Sequence, residues 1–295
     1  MSEVMMEEKK IGTGAKVGYF FLAIVPPIVC LVMQILCMMV LLFGKMIMAI
    51  AGGSIDPSSP GYMDAVMELT QSVAIPSVLF YHIVGTLLFG LWYYLCMNKP
   101  RKNAVKQAFK NVTAKSVLVA VGFGVLLCFL SNGTLPIDQA LMPATYEKYV
   151  QLMEAAGMGV EPMAIIASCI LAPIGEEFIC RGLTLRFAQK AFGKFWIANI
   201  MQAFLFGVIH GNLIQGMYAF VIGLFLGWIT KNYKSIIPAM LLHFTVNFSS
   251  TTWVGLVLEK LFGEDIPGFG VGIAMVLVPL VIMLPIVIKE GKKAV

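Results

Sequence analysis

Two adjacent carboxylates and an arginine stand in the run Ala172-Pro173-Ile174-Gly175-Glu176-Glu177-Phe178-Ile179-Cys180-Arg181, which otherwise belongs in hydrocarbon. A charge at mid-bilayer costs about 2.5–3.5 kcal/mol on insertion scales, so such residues mark a function by default. On a helix Glu177 and Arg181 are four apart, share a face and neutralise each other. Glu176 points about 100° away from that pair and is left to face something else. Two further polar groups come later in the chain: Phe206-Gly207-Val208-Ile209-His210 and His243-Phe244-Thr245-Val246-Asn247. His243 and Asn247 are again four apart on one helical face. An acid, two imidazoles and an amide on three helices can activate a water and hold an oxyanion.

Each group also has a plainer reading. His210 alone would be a satisfied core histidine. His243 with Asn247 alone would be an interhelical hydrogen bond of about 1 kcal/mol or less. Phe206 is expected to pack against the histidine ring one turn on. His82, the third of the 3 histidines, reads with Tyr81 as a packed or interfacial group. Cys180 adjoins the arginine with no base aimed at it, so no thiol or hydroxyl nucleophile is expected.

The elements that must position these residues are membrane spans. The chain is 59% hydrophobic and 13% charged, against about 25% charged in soluble domains. That composition predicts an all-α polytopic membrane protein. About eight transmembrane helices are expected, at a span length of about 20 apolar residues. They fall near 17–50, 73–97, 116–135, 162–185, 195–211, 213–230, 236–258 and 268–288, with an active-site cavity among spans four to seven. The chain divides into three regions: 1–161, an N-terminal three-span region with outer loops; 162–252, a core carrying the polar motifs; and 253–295, a last span with a basic tail. Pro26-Pro27 predicts a kink in the first span. Loops are expected at 51–72 and 136–161; within the second, residues 146–153 read either as an amphipathic surface helix or as part of an irregular connector. Gly223-x-x-x-Gly227 reads as a face for close helix contact.

Lysine and arginine placement orients the chain. With both termini inside, seventeen of the 21 basic residues fall on the inner side; Lys45, Lys148 and Lys260 lie outside and Arg181 within the membrane. The net charge of +5 therefore needs no nucleic-acid partner. No cleavable signal peptide is evident, because the polar, charge-rich N-terminal segment leads into an apolar run too long for one. The 6 cysteines lie in apolar runs and predict neither disulfides nor a thiolate metal site.

Glu-Glu-x-x-x-Arg, then Phe-x-x-x-His, then His-x-x-x-Asn, in this order on successive helices, resembles the CPBP family of CAAX-processing and bacteriocin-processing intramembrane endopeptidases, also called the Abi or type II CAAX protease family. The resemblance covers roughly residues 162–252. It implies hydrolysis of a peptide bond within the membrane. Glu176 with His210 would activate water, His243 and Asn247 would stabilise the oxyanion, and Arg181 would hold Glu177 in place. Its substrate would be a membrane-associated peptide or protein, either a prenylated CAAX protein or a bacteriocin leader, the latter linked to self-immunity. The lipid bilayer is the other partner, in the plasma membrane if the host is bacterial. No cofactor is favoured, since Asn247 is a poor zinc ligand. Zinc or another divalent metal on Glu176, His210 and His243, with an open fourth position, is the alternative.

Two other functions use the same residues: a non-catalytic binding or immunity protein, and a transporter with Glu176 as proton site. One geometric tension also stands. Counted from Phe195 at about 1.5 Å per residue, His210 lies some 10 Å too far out to meet Glu176 and His243. A shallow, tilted hairpin, helped by Gly207, Gly211 and Gly216, would bring it back.

Overall fold

The structure, a computed structural model, describes residues 11–100, 104–155, 162–263 and 267–293. Among these no strand occurs. The helices are α1 (Thr13–Ala51), α2 (Tyr62–Met97), α3 (Ala104–Lys110), α4 (Ala114–Leu141), α5 (Pro143–Ala155), α6 (Pro162–Phe192), α7 (Phe195–Val208), α8 (Leu213–Tyr233), α9 (Ile237–Phe262) and α10 (Phe269–Lys293). Seven of them are long and apolar enough to cross a membrane. The eighth expected span, α7, is the exception. Its 14 residues reach only about 21 Å, short of the roughly 30 Å of a hydrocarbon core.

The connections expected on the outer side are tighter than the composition of 51–72 and 136–161 implies. Residues from Tyr62 onward already join α2, whose first turn holds Asp64, where a carboxylate suits the helix dipole. The loop before it closes on Asp56, whose Oδ1 accepts from the Ser58 backbone N–H at 2.8 Å and from its hydroxyl at 2.6 Å. At the other connection α4 continues through Pro136 to Leu141. Of the two readings of 146–153 the helix is the one present, within α5, which lies against α4 and α8. Residues 156–161, the end of that expected loop, lie outside the described residues.

α6 is the centre of the molecule. It touches α1, α2, α7 and α9, while α4 backs α9 and α8 and carries α10 on its far side. Small residues set these close crossings, as expected where lipid removes the hydrophobic drive between helices. A Cβ on Gly175 of α6 would come within 3.0 Å of Thr86 Oγ1 on α2. One on Gly182 would meet the Tyr93 ring at 2.8 Å, and one on Gly124 of α4 would strike Thr245 of α9.

Candidate active site

α6 is not a uniform α-helix. Wide π turns run over Ile166–Leu171 and Phe178–Thr184, and between them one short α segment, Ala172–Glu177, presents the two carboxylates. Such π turns gather at functional positions. The two neighbouring glutamates have divergent surroundings. Glu177 is fully buried, while the Glu176 side chain keeps 15% of its surface exposed.

Glu177 Oε1 accepts from Arg181 Nη1 at 2.8 Å, and Arg181 is equally buried. The pair expected from the spacing is therefore present, but it does more than neutralise itself. The same Oε1 accepts from His243 Nδ1 on α9 at 3.1 Å, and Arg181 Nη2 donates to the Gly223 carbonyl of α8 at 3.2 Å. Glu177 Oε2 and Arg181 Nε are buried without a hydrogen-bond partner among the described residues. The contact is single-point rather than forked, and the pair relies on His243 and Gly223 for its orientation.

Phe206 fills the space among the charged groups. The Arg181 guanidinium lies over its ring, 4.4 Å from the centroid. The rings of His210 and His243 meet it edge to face at 4.9 and 5.5 Å. Phe206 packs both histidines and the arginine, a larger role than the one ring expected of it.

His210 sits in the turn after α7, and its Nδ1 donates to the Phe206 carbonyl at 2.7 Å. α7 is short, and the α7–α8 hairpin brings His210 onto Phe206, whose ring also meets His243. Gly207 and Gly216 bring the two backbones together: a Cβ on Gly207 would lie 2.6 Å from the Gly216 carbonyl. Gly211 makes the turn at φ 71°, a conformation that favours glycine. Glu176 and His243 both act electrostatically on the His210 ring, so the three groups share one neighbourhood.

A carbonyl and an arginine-paired carboxylate only accept hydrogen bonds. In both histidines Nδ1 therefore carries a proton, and Nε2 is left for chemistry, an acceptor in the neutral ring and a donor once the ring is protonated. His243 Nε2 lies 3.8 Å from Glu176 Oε2, so one imidazole bridges the two neighbouring glutamates. Asn247, one turn along α9, donates Nδ2 to the Ser168 carbonyl of α6 at 2.8 Å. Its second amide hydrogen has no protein acceptor among the described residues. No serine or cysteine there hydrogen-bonds either histidine ring, and Cys180 is sealed at 0% exposure.

Two supporting residues escaped the sequence reading. Asn199 and Gln202 of α7 are fully buried. Gln202 Nε2 donates to Asn199 Oδ1 at 2.7 Å and to the Gly223 carbonyl at 2.9 Å, and Asn199 Nδ2 donates to the Leu224 carbonyl at 2.9 Å. They bind α7 to α8 at Gly223-x-x-x-Gly227, the expected contact face. Two polar residues three apart inside the apolar run Phe195–Val208 were the available signal. His82, read from the sequence as a packed or interfacial group, lies on the α2 face that meets α6, is 9% exposed and is within electrostatic reach of Glu176 and His243. Its ring packs at a tilt against Tyr81, with centroids 4.8 Å apart, so the packed role holds, but next to the site.

Glu176, His210 and His243 offer donors of the right chemistry for zinc. Among the described residues, however, no three or more His, Cys, Asp or Glu side chains converge as a metal site, so no step of the proposed reaction is routed through an ion.

No curated protein and no solved structure matches the chain. A family model described as Rce1-like, type II CAAX prenyl endopeptidase Rce1-like, matches residues 159–249, which contain every candidate residue from Glu176 to Asn247. Through this segment the chain is similar to the Rce1-like type II CAAX prenyl endopeptidases, and its seven long apolar helices make it a multi-pass membrane protein.

Proposed function

We propose that the chain hydrolyses a peptide bond of a membrane-associated substrate at a metal-free site formed by α6 to α9. The observation that carries this reading is the division of labour within Glu176-Glu177. Glu177 is sealed and spent on Arg181 and His243, whereas Glu176 is partly exposed and faces His243 Nε2 at 3.8 Å. One carboxylate builds the site and its neighbour is free to react.

Glu176 with His210 Nε2 takes a proton from water as its oxygen attacks the scissile carbonyl carbon. The oxygen of the tetrahedral intermediate receives hydrogen bonds from the second Asn247 amide hydrogen and from protonated His243 Nε2. When the C–N bond breaks, the proton held by Glu176 and His210 passes to the leaving amine. Arg181, Phe206 and Glu177 keep these groups in place and touch no reacting atom.

The lysine distribution supports both termini on the cytoplasmic side and a cavity open toward that face. The family's printed description supports a prenylated C-terminal CAAX sequence as substrate, in which the lipid partitions into the bilayer and delivers the peptide. The purified protein in liposomes is to be given a farnesylated CAAX peptide, the same peptide without lipid, and a bacteriocin leader peptide. Cleavage of the farnesylated peptide above the other two is expected. Preference for the leader would replace the substrate, and cleavage of none would remove the hydrolase reading.

A further inference from the structure

The bond from Asn247 to Ser168 has a cause in the sequence of α6. Over Ile166–Leu171 the helix is widened, and the N–H of Ala172 bonds the carbonyl of Ala167, five residues back. The next carbonyl, that of Ser168, would need the N–H of residue 173 to continue this pattern. Residue 173 is proline and has none. The α-helical alternative, the N–H of Ala172, is already spent on Ala167. The Ser168 carbonyl is therefore orphaned inside its own helix, in a segment where lipid offers no water to satisfy it. The Asn247 amide, 2.8 Å away on α9, supplies the missing donor.

A wide turn takes up an extra residue, so the helix beyond it is rotated by about 100° relative to an uninterrupted α-helix. Glu176 lies three residues beyond Pro173 and takes its direction from that rotation. Asn247 in turn shares a face of α9 with His243, which grips Glu177 at 3.1 Å. One face of α9 thus holds α6 at two points on either side of Pro173.

We propose that Pro173 and Asn247 form a matched positioning pair: the proline compels the wide turn that aims Glu176, and the Asn247 amide makes that turn tenable by satisfying the Ser168 carbonyl. Pro173 touches no substrate and acts through Glu176. The proposal rests on the hydrolytic reading only for the consequence at Glu176; the pairing itself does not need it.

A double-mutant cycle tests it in full-length protein, read as thermal unfolding in detergent and as cleavage kinetics. Asn247→Ala should lower the midpoint by roughly 2–10 °C, the effect of unpairing one buried carbonyl in a chain of this size. Pro173→Ala restores an N–H at 173, so in that background Asn247→Ala should lower the midpoint far less. Asn247→Leu repeats the cycle with a side chain of nearly the same volume that cannot donate. Pro173→Ala alone should hold the midpoint while kcat falls at least tenfold with KM unchanged, because Glu176 is turned away.

Equal losses from Asn247→Ala in the two backgrounds would overturn the pairing. Coupled unfolding with wild-type kcat in Pro173→Ala would overturn the positioning role. The unfolding cycle decides the pairing even if no peptide is cleaved. Coupling with an inactive wild type condemns the hydrolase reading, and an active wild type without coupling condemns the pair.

Discussion

α6 and α10 are both apolar, both contain proline, and both are long enough to cross a bilayer, yet they behave as different materials. Half of the apolar stretch of α6 is buried inside the protein, against 22% for α10 and for α1. α10 runs as continuous α-helix through Pro279 and Pro285, and α1 through Pro26-Pro27. α6 widens into a π turn before Pro173 and again after Glu177. The flanking helices need little beyond length and apolarity, because lipid is an adequate neighbour for most of their surface. In α6 the side chains of Glu177 and Arg181 and the Ser168 carbonyl are answered from α8 and α9. A helix of this second kind cannot be altered alone.

The comparison breaks most readily at the buried ion pair. Arg181→Ala leaves Glu177 charged, buried and without its cation, which costs about 3–5 kcal/mol for such pairs. Folded yield and thermal midpoint in detergent should drop accordingly. Glu177→Gln with Arg181→Gln should recover only part of that loss, since His243 and the Gly223 carbonyl also lose their charged partners. Equal yields for wild type, single and double variants would remove the structural role of the pair.

One substitution made in both regions sharpens the contrast. A Cβ on Gly227 of α8 would overlap the Asn199 amide, whereas a Cβ on Gly44 of α1 meets nothing within 4 Å. Gly227→Ala should destabilise by about 1–3 kcal/mol through overpacking. Gly44→Ala should leave stability unchanged or raise it by about 0.5–1 kcal/mol, as alanine does in an open helix position. Opposite signs in parallel thermal scans are the expected result, and a loss at Gly44 as large as at Gly227 would erase the distinction. The smallest expected effect is that of metal removal. Exhaustive chelation should leave the cleavage rate unchanged. One tightly bound zinc per chain, with activity lost on its removal and regained on its return, would exchange the mechanism for a metal-dependent one.

The parts that could be read from sequence are those governed by neighbours along the chain. Spacing alone paired Glu177 with Arg181 and put His243 and Asn247 on one face. Length and apolarity located seven of the spans. The misjudged parts depend on neighbours across the fold. Nothing local to Phe195–Val208 shows that it stops short of a full span. Its close crossing with α8, for which Gly207 and Gly216 were the legible cue, lets the two backbones touch. His243 gripping Glu177 joins residues 66 positions apart, and spacing within one motif is blind to that. Pro173 was the legible cue that went unused, since a proline inside a span removes an N–H and the carbonyl it frees must be satisfied locally or from a neighbouring helix. Asn199 and Gln202 were a second such cue.

The central claim is that Glu176 is the reacting carboxylate and Glu177 its fixed support. Glu176→Gln keeps the size of the side chain and removes the base, while Glu177 stays committed to Arg181 and His243 and cannot replace it. Peptide affinity and single-turnover cleavage are to be measured in the same liposomes for wild type and Glu176→Gln. The account predicts unchanged affinity and a cleavage rate at least about a hundred- to ten-thousand-fold lower, the range for loss of a general base. Cleavage by Glu176→Gln at the wild-type rate would contradict it.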